Sequence, residues 1–102
     1  MTYELLFRTA ATVEFAEAIR WYEDQRLGLG TRFRTAVSDT LRRILSDPES
    51  YPLVESEVRQ AIVRKFPYSV LYLLESNRVV VLAVFHGSRD PEDWQSRIAE
   101  PS

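Results

Sequence analysis

The sequence contains no cysteine, a single histidine, and a single lysine beside twelve arginines. Without thiols there is no disulfide framework and no thiolate zinc site, and a reducing compartment suits the chain. With one imidazole, His86, a metal would have to rest on carboxylates, and these are scattered over helix surfaces. Glycine is scarce at three residues, and none sits in a Gly-rich loop behind a strand, so the phosphate cradles of nucleotide-binding folds are absent. No cofactor is expected. The longest apolar run, at 79–85, has seven residues, far short of the ~20 that a membrane-spanning helix needs. The first residues show no charged segment followed by an apolar one, so no secretion leader is expected. The expectation is a soluble, cytoplasmic protein with no membrane partner.

A surplus of positive charge is missing too. The formal net charge is -2 and the isoelectric point is near 5.4, whereas a surface that grips many phosphates usually carries excess cations. General attraction to nucleic acid is therefore not expected, although a local basic patch can coexist with an acidic whole. The arginine-to-lysine ratio reads as a codon bias rather than as selection for bidentate contacts. At 102 residues the chain is one domain, 1–102, able to bury a core without staples.

What is present is a clear succession of periods. Tyr3, Leu5 and Phe7 alternate onto one face of a first strand. From Thr9, which is placed to cap a helix start, the spacing lengthens: Phe15, Ala18, Ile19 and Tyr22 share one helix face, while Glu14, Glu17, Arg20 and Glu23 point elsewhere. Gly28 lies just past the end, as a left-handed terminating residue would. A second helix is predicted from Thr31, burying Phe33, Val37, Leu41, Ile44 and Leu45 and stopping at Ser46-Asp47 ahead of Pro48. The linker Leu27-Gly28-Leu29-Gly30 makes the two helices an antiparallel hairpin. Residues 48–57 hold two prolines and no period, and read as a loop. Three strands follow, at 58–66, 68–75 and 79–85, with Ser76-Asn77 as a tight turn in which Asn77 takes the positive φ. The last two strands are apolar on both faces and belong inside a sheet. Asp90-Pro91-Glu92-Asp93 has the order of a helix start, and the short helix it opens carries Trp94 and Ile98. The fold class is α+β in the order β-α-α-β-β-β-α: a small, mainly antiparallel sheet packed against a two-helix hairpin.

The residues with chemical capacity cluster towards the strand ends: Arg59, Arg64 and Lys65 on the second strand, Tyr68 and Ser69 opening the third, His86 and Arg89 closing the fourth. RNA cleavage through a 2'-hydroxyl needs a proton acceptor, a proton donor and cations on the phosphorane. Arg59, His86 and Arg89 are the candidates for those roles. The plainer reading is that His86 caps a turn and that the arginines are solvated. Ser88 beside His86 has no supporting motif for a serine triad. Trp21 lies one position off the apolar stripe, as an aromatic left open to a partner would.

The run Arg64-Lys65-Phe66-Pro67-Tyr68-Ser69-Val70-Leu71-Tyr72, the apolar strand 79–85, and the ending His86-Gly87-Ser88-Arg89-Asp90-Pro91 with Trp94 together resemble the RelE/ParE superfamily of plasmid-stabilisation toxins. The resemblance covers nearly the whole chain and implies the toxin half of a type II toxin-antitoxin pair. In its RNA-cleaving members the third strand typically begins with a tyrosine followed by an arginine, and the C-terminal segment supplies a further tyrosine. Here Ser69 follows Tyr68, and the C-terminal aromatic is Trp94, whose indole is neither acid nor base. The Phe66-Pro67-Tyr68 turn and the His86 to Pro91 ending look more like the ParE branch, whose members act on DNA gyrase. The implied function is growth arrest through gyrase, relieved by a cognate antitoxin, without enzymatic activity. The alternatives are a RelE-like endoribonuclease cutting mRNA on the ribosome, and a non-toxic antitoxin-binding module. The residues singled out for target or antitoxin contact are Trp21, Arg59, Arg64, Lys65, Tyr68, Arg89 and Trp94.

Overall fold

A computed structural model describes residues 3–100. Its elements are β1 (Glu4–Phe7), α1 (Thr9–Gln25), α2 (Leu29–Ser46), β2 (Leu53–Glu55), β3 (Val58–Ile62), β4 (Tyr68–Glu75), β5 (Arg78–His86) and α3 (Glu92–Gln95). The five strands form one sheet in the order β1-β5-β4-β3-β2. Only the β1–β5 pair is parallel; the other three pairs are antiparallel. The two strands that are apolar on both faces, β4 and β5, occupy the interior of the sheet, as that composition requires. No helix among the described residues is long and apolar enough to cross a membrane.

Several boundaries differ from the sequence expectation, each for a local reason. The supposed loop 48–57 contains β2, whose three residues are too few to display an alternation. The strand expected at 58–66 stops at Ile62. After Val63 donates to the Tyr68 carbonyl at 2.9 Å, Arg64 and Lys65 turn the chain, with Lys65 at φ 69°. In the β4–β5 turn Ser76, not Asn77, takes the positive φ, 54°. Thr9 is not a cap. Arg8 holds the capping position in extended conformation without a side-chain bond. Asp90 accepts from the Glu92 amide at 3.0 Å, but α3 opens one residue later than expected, with Pro91 rather than Asp90 at the capping position.

The hairpin joint is tighter than expected. α2 begins at Leu29 rather than Thr31, because Gly28 adopts φ 88° and reverses the chain within three residues. Two amides at the start of the new helix find their acceptor on α1. Glu23 Oε2 accepts from Gly28 N–H at 2.9 Å, and Glu23 Oε1 accepts from Gly30 N–H at 3.0 Å. A carboxylate at a helix N-terminus is favourably placed in the field of the peptide dipoles. The helices approach so closely at Gly30 that a Cβ there would lie 2.6 Å from the Ile19 carbonyl oxygen.

Two cores sandwich the sheet. On the hairpin side, Ala11, Ala18 and Tyr22 of α1 and Phe33, Val37, Leu41 and Ile44 of α2 pack on Val70, Tyr72, Val79, Val81 and Val84. Tyr22, Phe33, Phe66 and Tyr68 interlock there, with ring centroids 4.9 to 6.1 Å apart and mostly edge-on. The opposite side is closed by Leu71, Val80, Leu82, Ala83, Phe85 and Trp94, with Ile98 partly buried against them. These memberships reveal a phase change within β5. Register runs Tyr72↔Val81 and then Leu71↔Ala83, which leaves Leu82 as an unpaired bulge residue. Val81 and Val84 consequently face the helices, while Leu82 and Ala83 both face away.

Trp94 is only 6% exposed and fixes the C-terminal segment to the second core. Trp94→Ala is expected to cost roughly 3 kcal/mol or more, the usual range for a buried large aromatic, seen as a lowered midpoint of thermal unfolding. An unmoved midpoint would mean that the segment is undocked in solution.

Candidate functional site

The bulge decides what the end of β5 presents. By turning Val84 and then His86 towards the hairpin, it sets His86 opposite Tyr68 in the β4–β5 ladder, with the two rings 5.1 Å apart and nearly perpendicular. An open cleft of about 340 Å³ lies between these residues and the outward flank of α1. Ala18, Tyr22 and Val84 form its apolar part, Trp21 and Glu17 line the α1 side, and Ser88 and Arg89 close it.

At its base sits an ion pair that the periodicity concealed. Glu14, expected on a solvated face, is 9% exposed, and its carboxylate receives both terminal nitrogens of Arg97, at 2.9 and 2.8 Å. Glu14 Oε1 also accepts from the Val84 amide at 3.2 Å, and Arg97 donates to the Leu82 carbonyl at 3.0 Å. The cause is topological. β1 ends at Phe7, paired with Val81, so beyond that point β5 has no strand on this side, and a carboxylate and a guanidinium take over its backbone groups. The bidentate bond to Glu14 raises the Arg97 pKa above its ordinary value, outweighing the burial that lowers it. Nothing in the local spacing of Glu14 or Arg97 signals this pairing, because the partners are 83 residues apart.

His86 and Arg89, at the edge of the cleft, are held by hydrogen bonds and ion pairs. His86 Nδ1 accepts from the Ser88 backbone amide at 3.0 Å and lies 2.8 Å from Ser88 Oγ. Since a backbone amide can only donate, Nδ1 is an acceptor, and the neutral ring carries its proton on Nε2. This is the turn-capping role. Burial, with a smaller contribution from Tyr22, pushes the Tyr68 phenol up from its ordinary value, and Arg89 offsets only part of that. Tyr68 therefore remains a protonated donor. Arg89 is 48% exposed, pairs with Asp93 at 3.3 Å and with Glu14 at 3.5 Å, and its guanidinium lies 5.2 Å from the centre of the Phe85 ring.

The residues singled out in the sequence do not form one site. Tyr68, His86, Arg89 and Trp21 meet in the cleft. Arg64 and Lys65 lie instead in a separate groove of about 580 Å³ along α2, with Arg26, Arg32 and Arg43 and an apolar floor of Leu29, Ala36 and Phe66. Arg59 belongs to neither. It pairs in register with Tyr72, four residues along β4 from Tyr68, which is about 13 Å of strand. There its guanidinium donates to the carbonyls of Glu49 and Tyr51 at 3.0 and 2.6 Å, while the Tyr72 hydroxyl donates to Pro48 O at 2.6 Å. Arg59 and Tyr72 clamp the loop after α2. Trp94, offered as a contact residue, is a core residue. Ser69 lies on the sheet face opposite the cleft, where its Oγ accepts from Gln60 Nε2 at 2.8 Å.

Comparison with known proteins agrees with this architecture. The family model for the ParE toxin of the type II toxin-antitoxin system parDE matches residues 5–91. The chain belongs to the ParE toxin family, and is a ParE-like toxin of a type II system. Its fold is shared with a chain of the chromosomal ParDE system of P. aeruginosa, at a TM-score of 0.74 and 10% identity, over 83% of this chain and 96% of that one. It is shared equally with a mutant of the E. coli toxin RelE in the free state, at 0.73 and 21% identity over 96% and 99%. The same RelE mutant in complex with an antitoxin RelBc peptide aligns at 0.65 and 20% identity over the full length of both chains. At such identities these structures speak for the fold alone. No curated protein sequence matches the chain significantly.

Glu14→Gln should destabilise the protein by about 3 kcal/mol or more, since it strands a largely buried guanidinium without its counter-charge. Denaturant unfolding of the double variant Glu14→Gln/Arg97→Met should show a smaller loss than the two single losses added together. Strict additivity would dissociate the two side chains energetically.

Proposed function

We propose that this toxin arrests growth by binding DNA gyrase and blocking replication, and that it does not cleave RNA. One observation carries the reading. The groups that RNA cleavage would require are dispersed: Arg59 is engaged by the carbonyls of Glu49 and Tyr51, His86 is tied to Ser88, and Ser69 and Trp94 stand where nucleases of the superfamily carry a guanidinium and a phenol. Loss of a single such group commonly lowers a rate ~100-fold or more. A binding surface needs none of them.

The neutralising partner on this reading is an antitoxin segment rich in acidic and apolar residues, seated in the groove along α2. Arg26, Arg32, Arg43, Arg64 and Lys65 line that groove around Leu29, Ala36 and Phe66. Its one acid, Asp39, is already paired with Arg42. Opposite charge steers such a segment in, and the apolar floor provides the burial.

Expression of the toxin should block replication, induce the DNA-damage response and filament the cells, while bulk mRNA stays intact. Arg89→Ala should reduce toxicity through a lost charge-assisted contact, and His86→Ala should leave most of it. Codon-specific cuts in translated mRNA that vanish with His86→Ala would overturn the gyrase assignment in favour of a ribosome-dependent nuclease. For the groove, the double charge reversal Arg64→Glu/Lys65→Glu should weaken co-purification with the product of the neighbouring antitoxin gene. Undiminished capture would place the antitoxin elsewhere.

A further inference from the structure

The cleft beside β5 differs in charge from the groove along α2, and its chemistry is specific. Glu17 and Trp21 are one helical turn apart on α1, and both line the cleft. Trp21 is 57% exposed, and its ring meets Tyr22 edge to face at 5.1 Å and 83°. The indole is thus held in orientation by a buried neighbour while much of its surface stays open.

The charges around it leave one carboxylate over. Glu14 is saturated by Arg97, and Arg89 is shared between Asp93 and Glu14. Two guanidinium groups therefore balance two carboxylates. Glu17 has no ion-pair partner among the described residues. A free carboxylate one turn from an exposed indole is a receptor for a planar cation.

We infer that this cleft receives an arginine side chain of the antitoxin, with the guanidinium stacked on Trp21 and hydrogen-bonded to Glu17. Arginine fits better than lysine because its planar head can do both at once. The inference deepens the toxin–antitoxin reading and rests on it for the identity of the partner. The antitoxin then spans the hairpin with opposite charges at its two contacts, acidic towards α2 and basic towards α1, which fixes its direction of binding.

The test needs no antitoxin at its first stage. The chain has two tryptophans, and buried Trp94 serves as an internal control for exposed Trp21. Titration with the peptide acetyl-Gly-Arg-Gly-amide should shift the Trp21 indole N–H resonance and leave that of Trp94 in place. The citrulline peptide, isosteric but neutral, should bind at least about threefold more weakly, and Glu17→Gln should lower affinity for the arginine peptide by a similar factor, given the size of exposed cation–π and ion-pair contacts. Equal binding of the citrulline peptide, or indifference to Glu17→Gln, overturns the inference. At the second stage the antitoxin is titrated onto the wild type and onto Glu17→Gln and Trp21→Leu. A wild type that takes the arginine peptide but not the antitoxin sinks the antitoxin as the occupant and upholds the cleft as a cation receptor. An antitoxin bound equally by all three upholds the pairing and sinks the arginine assignment.

Discussion

The ion pair between Glu14 and Arg97 is the contact on which the rest of this structure depends. It joins the first helix, the bulged end of β5 and the C-terminal segment at one point, and it does so where the sheet lacks a strand. Each charged group has a backbone partner as well as its counter-ion, Val84 N–H for the carboxylate and the Leu82 carbonyl for the guanidinium. That satisfaction is what makes a buried pair tolerable, since attraction alone rarely repays desolvation. It also protects a strand edge that would otherwise offer open hydrogen-bonding groups to another chain. The cleft exists because this pair, and not a sixth strand, fills the gap.

The sequence made the architecture legible where periodicity was long enough to speak. Seventeen and eighteen residues of helix carry several turns of apolar repeat, and the two-sided apolar strands could only lie inside a sheet. Three residues of β2 carry no repeat at all. The bulge was invisible for a different reason: at 79–85 every residue is apolar, so no alternation exists whose phase could be seen to slip. Glu14 and Glu23 lie off the apolar stripe of their helix, where carboxylates usually meet solvent. One of them meets Arg97 from the far end of the chain, and the other caps the next helix through Gly28 and Gly30.

The candidate site was legible in composition but not in grouping. Tyr68, His86 and Arg89 are brought together as strand-end neighbours, and Trp21 joins them across the helix. Arg59 reads in sequence like the other strand arginines, yet register places it with Tyr72 at the far end of β4, where loop carbonyls absorb its donors. The near-neutral charge of the whole chain likewise hides a separation. Cations gather along α2 while the flank of α1 keeps an unmatched carboxylate, so the average says little about either face.

Loss of Leu82 would act on the fold in a way that no catalogue of substitutions would reveal. As the extra residue in its ladder, it stands outside the pairing, and a loss of this one codon would let β5 run straight through it. Val84 and His86 would keep their sides, since Ala83 would follow Val81 in regular alternation, and the loss would be that of the Leu82 side chain from the second core and of the carbonyl that accepts from Arg97. Leu82 is thus dispensable for the register of β5, and its place in the fold rests on the packing and the Arg97 bond that it supplies.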